Sequence, residues 1–213
     1  MIFNIGSTNS IANHFLQALR DPTLQQDRAR FRKNIEKLGE IMAYEISKKL
    51  VYEPMLIQTP LGKVNSHLIT EKPALITVLR AGLPYFNGFL HYFDESDCGF
   101  IGAYRKEEKE ISIQLDYLAT PTLQDRTVIL IDPMLATGKS FVRSIEALSK
   151  HGVPAHIHIA SLVAAPEGIE YLEKNNKIPH TLWTFSVDDH LNHQSYIVPG
   201  LGDAGDLCFG DKV

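Results

Sequence analysis

The strongest constraint on the fold is an alternation, between residues 74 and 187, of short apolar runs with segments of helical periodicity. Runs rich in aliphatic and β-branched residues predict buried strands, and the amphipathic segments between them predict helices. The predicted strands are Ala74–Leu79, Gly99–Tyr104, Thr127–Asp132, His156–Val163 and Leu182–Val187, and the predicted helices are Pro84–Tyr92, Lys139–His151 and Glu167–Asn175. This order indicates an α/β fold with a mostly parallel sheet that helices cover on both faces.

The first 70 residues predict two further elements. Residues Asp27–Leu50 carry apolar side chains at spacings of three and four, which indicates one amphipathic helix. Met55–Gln58 and Lys63–Ile69 flank a turn sequence, Thr59–Gly62, and predict a hairpin. With 213 residues and 44% hydrophobic content, the chain suits a single domain that spans residues 1–213.

Charge and composition narrow the class of function. A formal net charge of −4 and an isoelectric point near 6.1 argue against nucleic acid as the main partner. Cys98 and Cys208 lie far apart in the sequence, which favours free thiols in a reducing compartment. The amino-terminal sequence lacks the pattern of a secretory signal, and no apolar run approaches the length of a membrane span. We therefore expect a soluble, cytoplasmic protein.

Charged residues follow several of the predicted strands. Arg80, Arg105 and Asp132 each come at or just after a strand end, as does the small-residue stretch 163–166. In an open α/β sheet, ligands bind beyond the carboxyl ends of the strands, so these residues are expected to converge on one site. The run "RKEEKE" at 105–110 is either a solvated excursion or a mobile flap over that site.

The stretch "VILIDPMLATGKS" at 128–140 predicts a phosphate-binding loop between a buried strand and a helix. Its end, Gly138-Lys139-Ser140, matches half of a nucleotide P-loop, G-x-x-x-x-G-K-[ST]. The first glycine of that motif would fall on Pro133, which has no N–H to donate and a fixed φ, so a P-loop is excluded. A phosphomonoester at the helix amino terminus remains, and so does an ordinary capped helix without a ligand.

Two other clusters of polar residues carry weaker signals. His156 and His158 form an H-x-H pair on a predicted strand, a pattern that is more typical of a partner-facing or solvated strand face than of a metal site. Asp188, Asp189, His190 and His193 lack a fixed ligand spacing, so a zinc site there is disfavoured. No nucleophile elbow and no Cys/His nucleophile arrangement is recognisable.

Several segments, in conserved order along almost the whole chain, resemble the uracil phosphoribosyltransferases. They are "LRDPTLQQDRARFRKNIEKLGEIMAYE" near the start, "VLRAGLPYFNG" at 78–88, "YRKEE" at 104–108, "LIDPMLATGKS" at 130–140, "LVAAPEGI" at 162–169 and "YIVPGLGDAGD" at 196–206. The loop at 132–140 marks the wider phosphoribosyltransferase class, whereas "PGLGDAGD" points to uracil. The resemblance implies a type I phosphoribosyltransferase fold and the conversion of uracil and 5-phospho-α-D-ribose 1-diphosphate to UMP and diphosphate with Mg²⁺.

The same resemblance assigns roles to particular residues. It implies catalytic roles for Arg80, Arg105, Asp132 and Asp203, with the two arginines on the diphosphate, Asp132 on the ribose hydroxyls and Asp203 on Mg²⁺, directly or through water or the diphosphate. The phosphoribosyl diphosphate site would comprise Arg80, Arg105, Asp132, Pro133, Met134, Leu135, Ala136, Thr137, Gly138, Lys139, Ser140 and Asp203. The uracil site would comprise Ile197, Gly202, Asp203 and Ala204.

The chain departs from the family pattern at a few positions. Lys139 replaces a second glycine, His193 replaces a common acid, and the tail "CFGDKV" is a variant of the usual one. The resemblance also implies a homodimer or higher homo-oligomer and, in some relatives, activation by GTP. Two other functions stay open from the sequence: a regulatory RNA- or nucleotide-binding protein on the same fold, and a phosphoribosyltransferase for another base. The acidic balance weighs against the first and "GLGDAGD" against the second.

Overall fold

The computed structural model describes the backbone of residues 1–107 and 111–211, and the side chains of those residues outside 103–116. Its helices are α1 Ala12–Arg20, α2 Arg28–Ser47, α3 Gly82–Leu90, α4 Lys139–Leu148, α5 Pro166–Asn175 and α6 Ala204–Phe209. Its strands are β1 Ile2–Asn4, β2 Tyr52–Thr59, β3 Gly62–Ile69, β4 Ala74–Leu79, β5 Cys98–Glu107, β6 Ile111–Ala119, β7 Thr127–Ile131, β8 Met134–Leu135, β9 His156–Ala160, β10 Val163–Ala164, β11 His180–Thr184, β12 Ser186–Val187, β13 His190–Leu191 and β14 Ile197–Val198.

A seven-stranded sheet forms the centre of the molecule, in the order β1–β11–β9–β7–β4–β5–β6. Every neighbouring pair is parallel except β5 and β6. The predicted fold class, a mostly parallel α/β sheet, is therefore confirmed. Both edge strands are additions to the prediction, because β1 is too short to show a periodicity and β6 follows the charged run at 105–110.

The core consists of two apolar clusters that share this sheet. Alternate residues of one strand enter different clusters: Ile129 packs with α2 and α3, whereas Leu130 packs with α4 and α5. Phe31 and Phe89 represent the first set of helices, and Phe141 represents the second. Because side chains alternate across a strand, the two clusters lie on opposite faces of the sheet, and the expected helical cover on both faces is present.

Three strands of the central sheet break and continue as a smaller one. The segments β8, β10 and β12 follow β7, β9 and β11 after one or two residues and pair in parallel, in the order β12–β10–β8. The predictions of single strands at 156–163 and 182–187 were therefore wrong in detail. The break is fixed by the carbonyl of Pro133, which accepts the amides of Leu162 and Val163 at 2.9 and 3.2 Å and so turns the chain out of the first sheet.

The strand order creates a switch point between β4 and β7. From β4 the chain proceeds to β5 on one side, whereas β7, β9 and β11 extend on the other. The loops that follow β4 and β7 therefore diverge, and a crevice opens between them at the carboxyl edge of the sheet. Arg80 follows β4 and Asp132 follows β7, so both flank this crevice as predicted.

The remaining elements lie outside the central sheet. The predicted hairpin is confirmed as β2 and β3, which pair along their whole length and form a sheet of their own. The long predicted helix corresponds to α2 and ends three residues earlier than expected. Within the described part of the chain, no helix combines the length and the apolarity that a membrane span requires.

Candidate active site

The predicted phosphate loop, Asp132–Ser140, is anchored through its backbone. Pro133 and Leu135 are buried, and Leu135 accepts a hydrogen bond from the amide of Ala165 at 2.9 Å. Met134 and Leu135 form the short strand β8, which pairs with β10. Pro133 and Leu135 therefore belong to the scaffold, and any contact that they make to a ligand in the crevice comes from their backbone.

Two glycines set the position of the distal half of this loop. Gly138 has φ +73°, a left-handed conformation, and is the N-cap residue of α4. A Cβ atom on Gly138 would overlap the carbonyl oxygen of Gly168 in α5, and one on Gly168 would overlap the carbonyl oxygen of Ala136. The loop is thus pressed against the first turn of α5 with no room for side chains between the two backbones.

The helix α4 presents its amino terminus at the edge of the crevice. Thr137 and Ser140 are partly buried there, and the Lys139 side chain is exposed. The first amides of a helix have no acceptor within the helix, and its dipole is positive at this end. This arrangement suits a phosphate dianion, and the two hydroxyls add further donors.

Asp132 is held at the end of β7 by both its backbone and its side chain. Its amide donates to the carbonyl of Ala160 at 3.1 Å, and its Oδ1 accepts from the amide of Met134 at 3.1 Å. The side chain is partly exposed on the carboxyl edge. The carboxylate is therefore oriented before any ligand binds.

The loop after β4 lies against the end of β7. A Cβ atom on Gly82 would overlap the hydroxyl of Thr77 and would approach the carbonyl oxygen of Ile131 to 3.1 Å. That hydroxyl donates to the Ile131 carbonyl at 3.2 Å. The peptide bonds Leu79–Arg80 and Val198–Pro199 are cis. Close packing at Gly82 thus brings Arg80 to the same edge as Asp132.

Arg80 connects this loop to the carboxyl-terminal segment, which we define as Ile197–Asp206. Its Nη2 lies 2.8 Å from Oδ1 of Asp206, and both side chains are about one third exposed. Asp203 caps α6, since its Oδ1 accepts from the amides of Gly205 and Asp206 at 2.9 and 3.0 Å. Asp206 was not among the predicted residues, although its place in "GDAGD", three residues after Asp203, is a signal that could have identified it.

The predicted uracil residues differ in their surroundings. Ile197 and Ala204 are buried in the core, whereas Gly202 is exposed with φ +88°. The side chains of Ile197 and Ala204 are therefore occupied by packing, and only their backbone groups are available to a ligand. The structure brings Arg80 to the first turn of α6 through Asp206, and the same helix begins at Ala204 and is capped by Asp203.

Arg105 was predicted to lie just beyond the end of a strand, and this prediction was wrong. Its backbone lies within β5, which extends to Glu107 and pairs with β6. Antiparallel pairing across 105–113 supplies the backbone hydrogen bonds that a solvated loop would lack. The Arg105 side chain and residues 108–110, which carry the rest of the predicted flap, lie outside the described part of the structure.

The histidine pair on β9 is accounted for by packing. His158 accepts from Nε1 of Trp183 at its Nδ1 at 3.1 Å, and His156 hydrogen-bonds the Thr181 hydroxyl at 3.0 Å. Burial, together with the charge of neighbouring His156, lowers the pKa of His158 to about 4. His158 is therefore neutral at pH 7, as its acceptor role requires.

Neither weak cluster from the sequence forms a metal centre in the described residues. There, the one grouping of three metal-ligating side chains is Glu36, Glu40 and His91, with ligand atoms within 4.8 Å of one another. It lies where α3 ends, at the edge of the sheet opposite Arg80. Asp188, from the second cluster, is instead paired with Arg20.

Comparison with known proteins identifies the family to which the chain is similar. The family model described as uracil phosphoribosyltransferase matches residues 7–211. A uracil phosphoribosyltransferase of Porphyromonas gingivalis is 44% identical over 100% of this chain and 99% of its own length. One of Methanothermobacter thermautotrophicus is 37% identical over 86% of this chain and 85% of its own. A solved structure of an Aquifex aeolicus protein superposes with a TM-score of 0.88, 30% identity and complete coverage of both chains.

Proposed function

The chain belongs to the uracil phosphoribosyltransferase family, and on that premise we propose that it transfers a phosphoribosyl group from 5-phospho-α-D-ribose 1-diphosphate to uracil, releasing UMP and diphosphate. The observation that carries the proposal is the convergence of three parts on one crevice: the helix terminus at Gly138, the oriented carboxylate of Asp132, and Arg80 beside α6. These parts suit, in that order, the 5-phosphate, the ribose hydroxyls and the diphosphate of one substrate.

The phosphate loop would bind the 5-phosphate through the amides at the start of α4 and the hydroxyls of Thr137 and Ser140. Asp132 would accept hydrogen bonds from the ribose 2′- and 3′-hydroxyls. A carboxylate that is already oriented by the Met134 amide loses little freedom on binding, so it fixes the ribose relative to the incoming base. Lys139 is exposed and adds positive charge near the phosphate.

Negative charge develops on the diphosphate as its bond to C1′ lengthens. Arg80 is placed to bind that charge through charge-assisted hydrogen bonds, which are stronger than neutral ones. By its family position Arg105 is proposed for the same role. In the described structure Arg80 donates a hydrogen bond to Asp206, so the diphosphate would have to displace Asp206 from the guanidinium.

Mg²⁺ is expected from the family, and the oxygen donors near Arg80 fit it. Asp203 supplies a hard carboxylate ligand, and Mg²⁺ in phosphoryl sites is usually held by one or two carboxylates together with substrate phosphates. Within the described residues Asp203 belongs to no group of three metal-ligating side chains, so the diphosphate itself would complete the set. When bound, the ion would neutralise part of the diphosphate charge.

The carboxyl-terminal segment is proposed to bind uracil through main-chain groups of Ile197, Gly202 and Ala204. Uracil presents two carbonyl acceptors on either side of an N–H donor, and cytosine reverses two of these three polarities. Each mismatched buried group costs about 1–3 kcal/mol, so cytosine should be disfavoured by about 2–6 kcal/mol. The corresponding ratio of kcat/KM is roughly 30-fold to 10⁴-fold.

Steady-state assays with phosphoribosyl diphosphate and a panel of bases test this function. Uracil and 5-fluorouracil, which share all three polar groups, should both be converted to nucleotides, and cytosine, hypoxanthine and guanine should react far more slowly. Use of cytosine or a purine within about fivefold of uracil would contradict the backbone-recognition proposal. Binding of RNA or nucleotides without turnover would instead support a regulatory protein.

The β2–β3 hairpin supports the proposal of a homodimer. It forms a separate two-stranded sheet, and Met55, Leu56 and Val64 expose 45–59% of their surface. An isolated hairpin is marginally stable in water, so a second copy of the chain is the cover that we propose. Sedimentation equilibrium should give a dimer or larger oligomer, and Leu56→Asp should shift it toward monomer; a monomeric parent would exclude the proposal.

The cytoplasmic location and activation by GTP stay predictions.

A further inference from the structure

An ion pair with a buried carboxylate contacts the carboxyl-terminal segment. Asp188 follows β12, and its side chain is 3% exposed. Its Oδ1 accepts from Nη2 of Arg20 at 2.7 Å, and its Oδ2 accepts from Nη1 of the same guanidinium at 2.8 Å. The hydroxyl of Ser186 donates to Oδ1 at 2.6 Å. Arg20 is the last residue of α1, so the pair joins the first helix to the segment that follows β12.

The same two side chains hold the backbone of Gly200 from both sides. Its amide donates to Oδ2 of Asp188 at 2.8 Å, and its carbonyl accepts from Nη1 of Arg20 at 3.2 Å. Gly200 has φ +59°, and a Cβ atom there would overlap the carbonyl oxygen of Ile197. The chain thus folds back on itself between two of the residues proposed to bind uracil, and the ion pair fixes that turn.

The charges of Arg20 and Asp188 explain why their contact to Gly200 is rigid. Burial raises the pKa of the Asp188 carboxyl, but Arg20, Ser186 and the Gly200 amide more than offset it, and the net pKa is lowered. Asp188 is therefore ionised at neutral pH. A bidentate guanidinium–carboxylate pair has a fixed planar geometry, and removing one partner of a buried pair leaves the other uncompensated.

We propose that Arg20 and Asp188 are positioning residues for uracil, acting through Gly200 to hold the main-chain groups of Ile197, Gly202 and Ala204 at the spacing that uracil requires. The inference rests on the proposed uracil-binding role of that segment. Neither side chain needs to touch the substrate. The phosphate loop has its own anchors at Pro133, Gly138 and Gly168, so the ion pair should affect the two substrates unequally.

The test is a comparison of Michaelis constants for the two substrates. Asp188→Asn keeps the shape of the side chain and removes its charge. We expect the KM for uracil to rise roughly 10- to 100-fold, as for loss of a positioned charged contact, while the KM for phosphoribosyl diphosphate stays within threefold. The preference for uracil over cytosine should also fall, because misplaced donors and acceptors discriminate less.

Two milder variants keep the test valid if Asp188→Asn does not fold. Arg20→Lys retains the charge without the planar fork, and Ser186→Ala removes one donor but leaves the ion pair. We expect both to raise the KM for uracil less than Asp188→Asn, with Ser186→Ala the smaller. The matched control is Asp97→Asn, which breaks the exposed Asp97–Arg126 pair at the opposite edge of the sheet and should leave both constants unchanged.

A purely structural role predicts a different result. If the variants lower the melting temperature but leave the KM for uracil unchanged, or raise both constants equally, the inference is overturned. The uracil-binding proposal is judged separately, by the base preference of the parent enzyme. A parent that prefers uracil together with an insensitive Asp188→Asn variant would reject the positioning role alone.

Discussion

The phosphate loop and the carboxyl-terminal segment border the same crevice but are held there by different forces. The phosphate loop is fixed by main-chain hydrogen bonds and by glycine contacts to α5, which leave no space for side chains. The carboxyl-terminal segment is fixed by two ion pairs, Arg20–Asp188 and Arg80–Asp206, whose partners lie 168 and 126 residues apart in the sequence. Backbone contacts therefore position the phosphate loop, whereas charged side chains from distant parts of the sequence position the carboxyl-terminal segment.

The difference follows from what each part is proposed to bind. A phosphate dianion needs several N–H donors at fixed positions, and backbone donors cost no side-chain entropy to hold in place. A flat base offers little charge, so its selectivity depends on the exact spacing of a few main-chain groups. Ion pairs to that segment also connect the proposed base-binding groups to α1 and to Arg80, which is proposed to bind the diphosphate. We therefore expect substitutions at the two parts to produce different kinetic patterns.

The largest effect should come from breaking the backbone contact at the phosphate loop. Gly168→Ala places a Cβ against the carbonyl oxygen of Ala136, and two backbones must separate to accommodate it. A displacement of about 1 Å costs roughly 10²-fold in rate, so we expect kcat/KM to fall by roughly 10²- to 10³-fold. Gly62→Ala is the matched control, since a Cβ there meets no atom within 4 Å. Activity within fivefold of the parent would show that the contact is not needed.

The next effect concerns the carboxylate at the start of the same loop. Asp132→Asn keeps the shape and removes the charge that would orient the ribose hydroxyls. Loss of a positioned charged contact of about 3 kcal/mol corresponds to roughly a 10²-fold decrease in kcat/KM. Steady-state kinetics with both substrates varied would measure it. A decrease of less than threefold would remove Asp132 from the site.

The two parts also differ in how far the sequence could predict them. The loop at 132–140 could be located from the sequence because its signals are local: an apolar strand, an acid, then Thr137, Gly138 and Ser140 before a helix. The support from Gly168 was missed, because close approach of two backbones depends on tertiary packing. Arg20 and Asp188 were missed for the same reason, and Asp188 was considered only as one member of a weak metal cluster. The α/β alternation predicted a mostly parallel sheet but not its strand order, and the break after β9 depends on one carbonyl, that of Pro133.

Acid should destabilise the sheet beneath both parts through His158. His158 has a pKa of about 4 in the folded chain and about 6.5 when unfolded, so folding favours the neutral ring. The neutral His158 ring contributes fully to stability above pH 6.5. As the pH falls toward 4 this contribution is lost, and the free energy of unfolding decreases by about 3 kcal/mol. Denaturant titrations should show this loss in the parent and less of it in His158→Gln, while exposed His193→Gln should follow the parent. If the free energy of unfolding falls equally with pH in all three proteins, His158 does not cause the loss of stability.

The smallest effect is expected at the second ion pair, and it decides whether charge or burial holds the carboxyl-terminal segment. Arg80 and Asp206 are both about one third exposed, and exposed pairs contribute about 0.2–1 kcal/mol. Asp206→Asn should therefore raise the KM for uracil by no more than about fivefold. The KM for phosphoribosyl diphosphate should not rise, because Arg80 is released from a competitor. Asp188→Asn removes a buried carboxylate, so it should raise the KM for uracil more than Asp206→Asn does under the same conditions. If the two substitutions raise the KM for uracil equally, burial of Asp188 does not make its ion pair the stronger anchor. Charge alone would then explain how both pairs hold the segment.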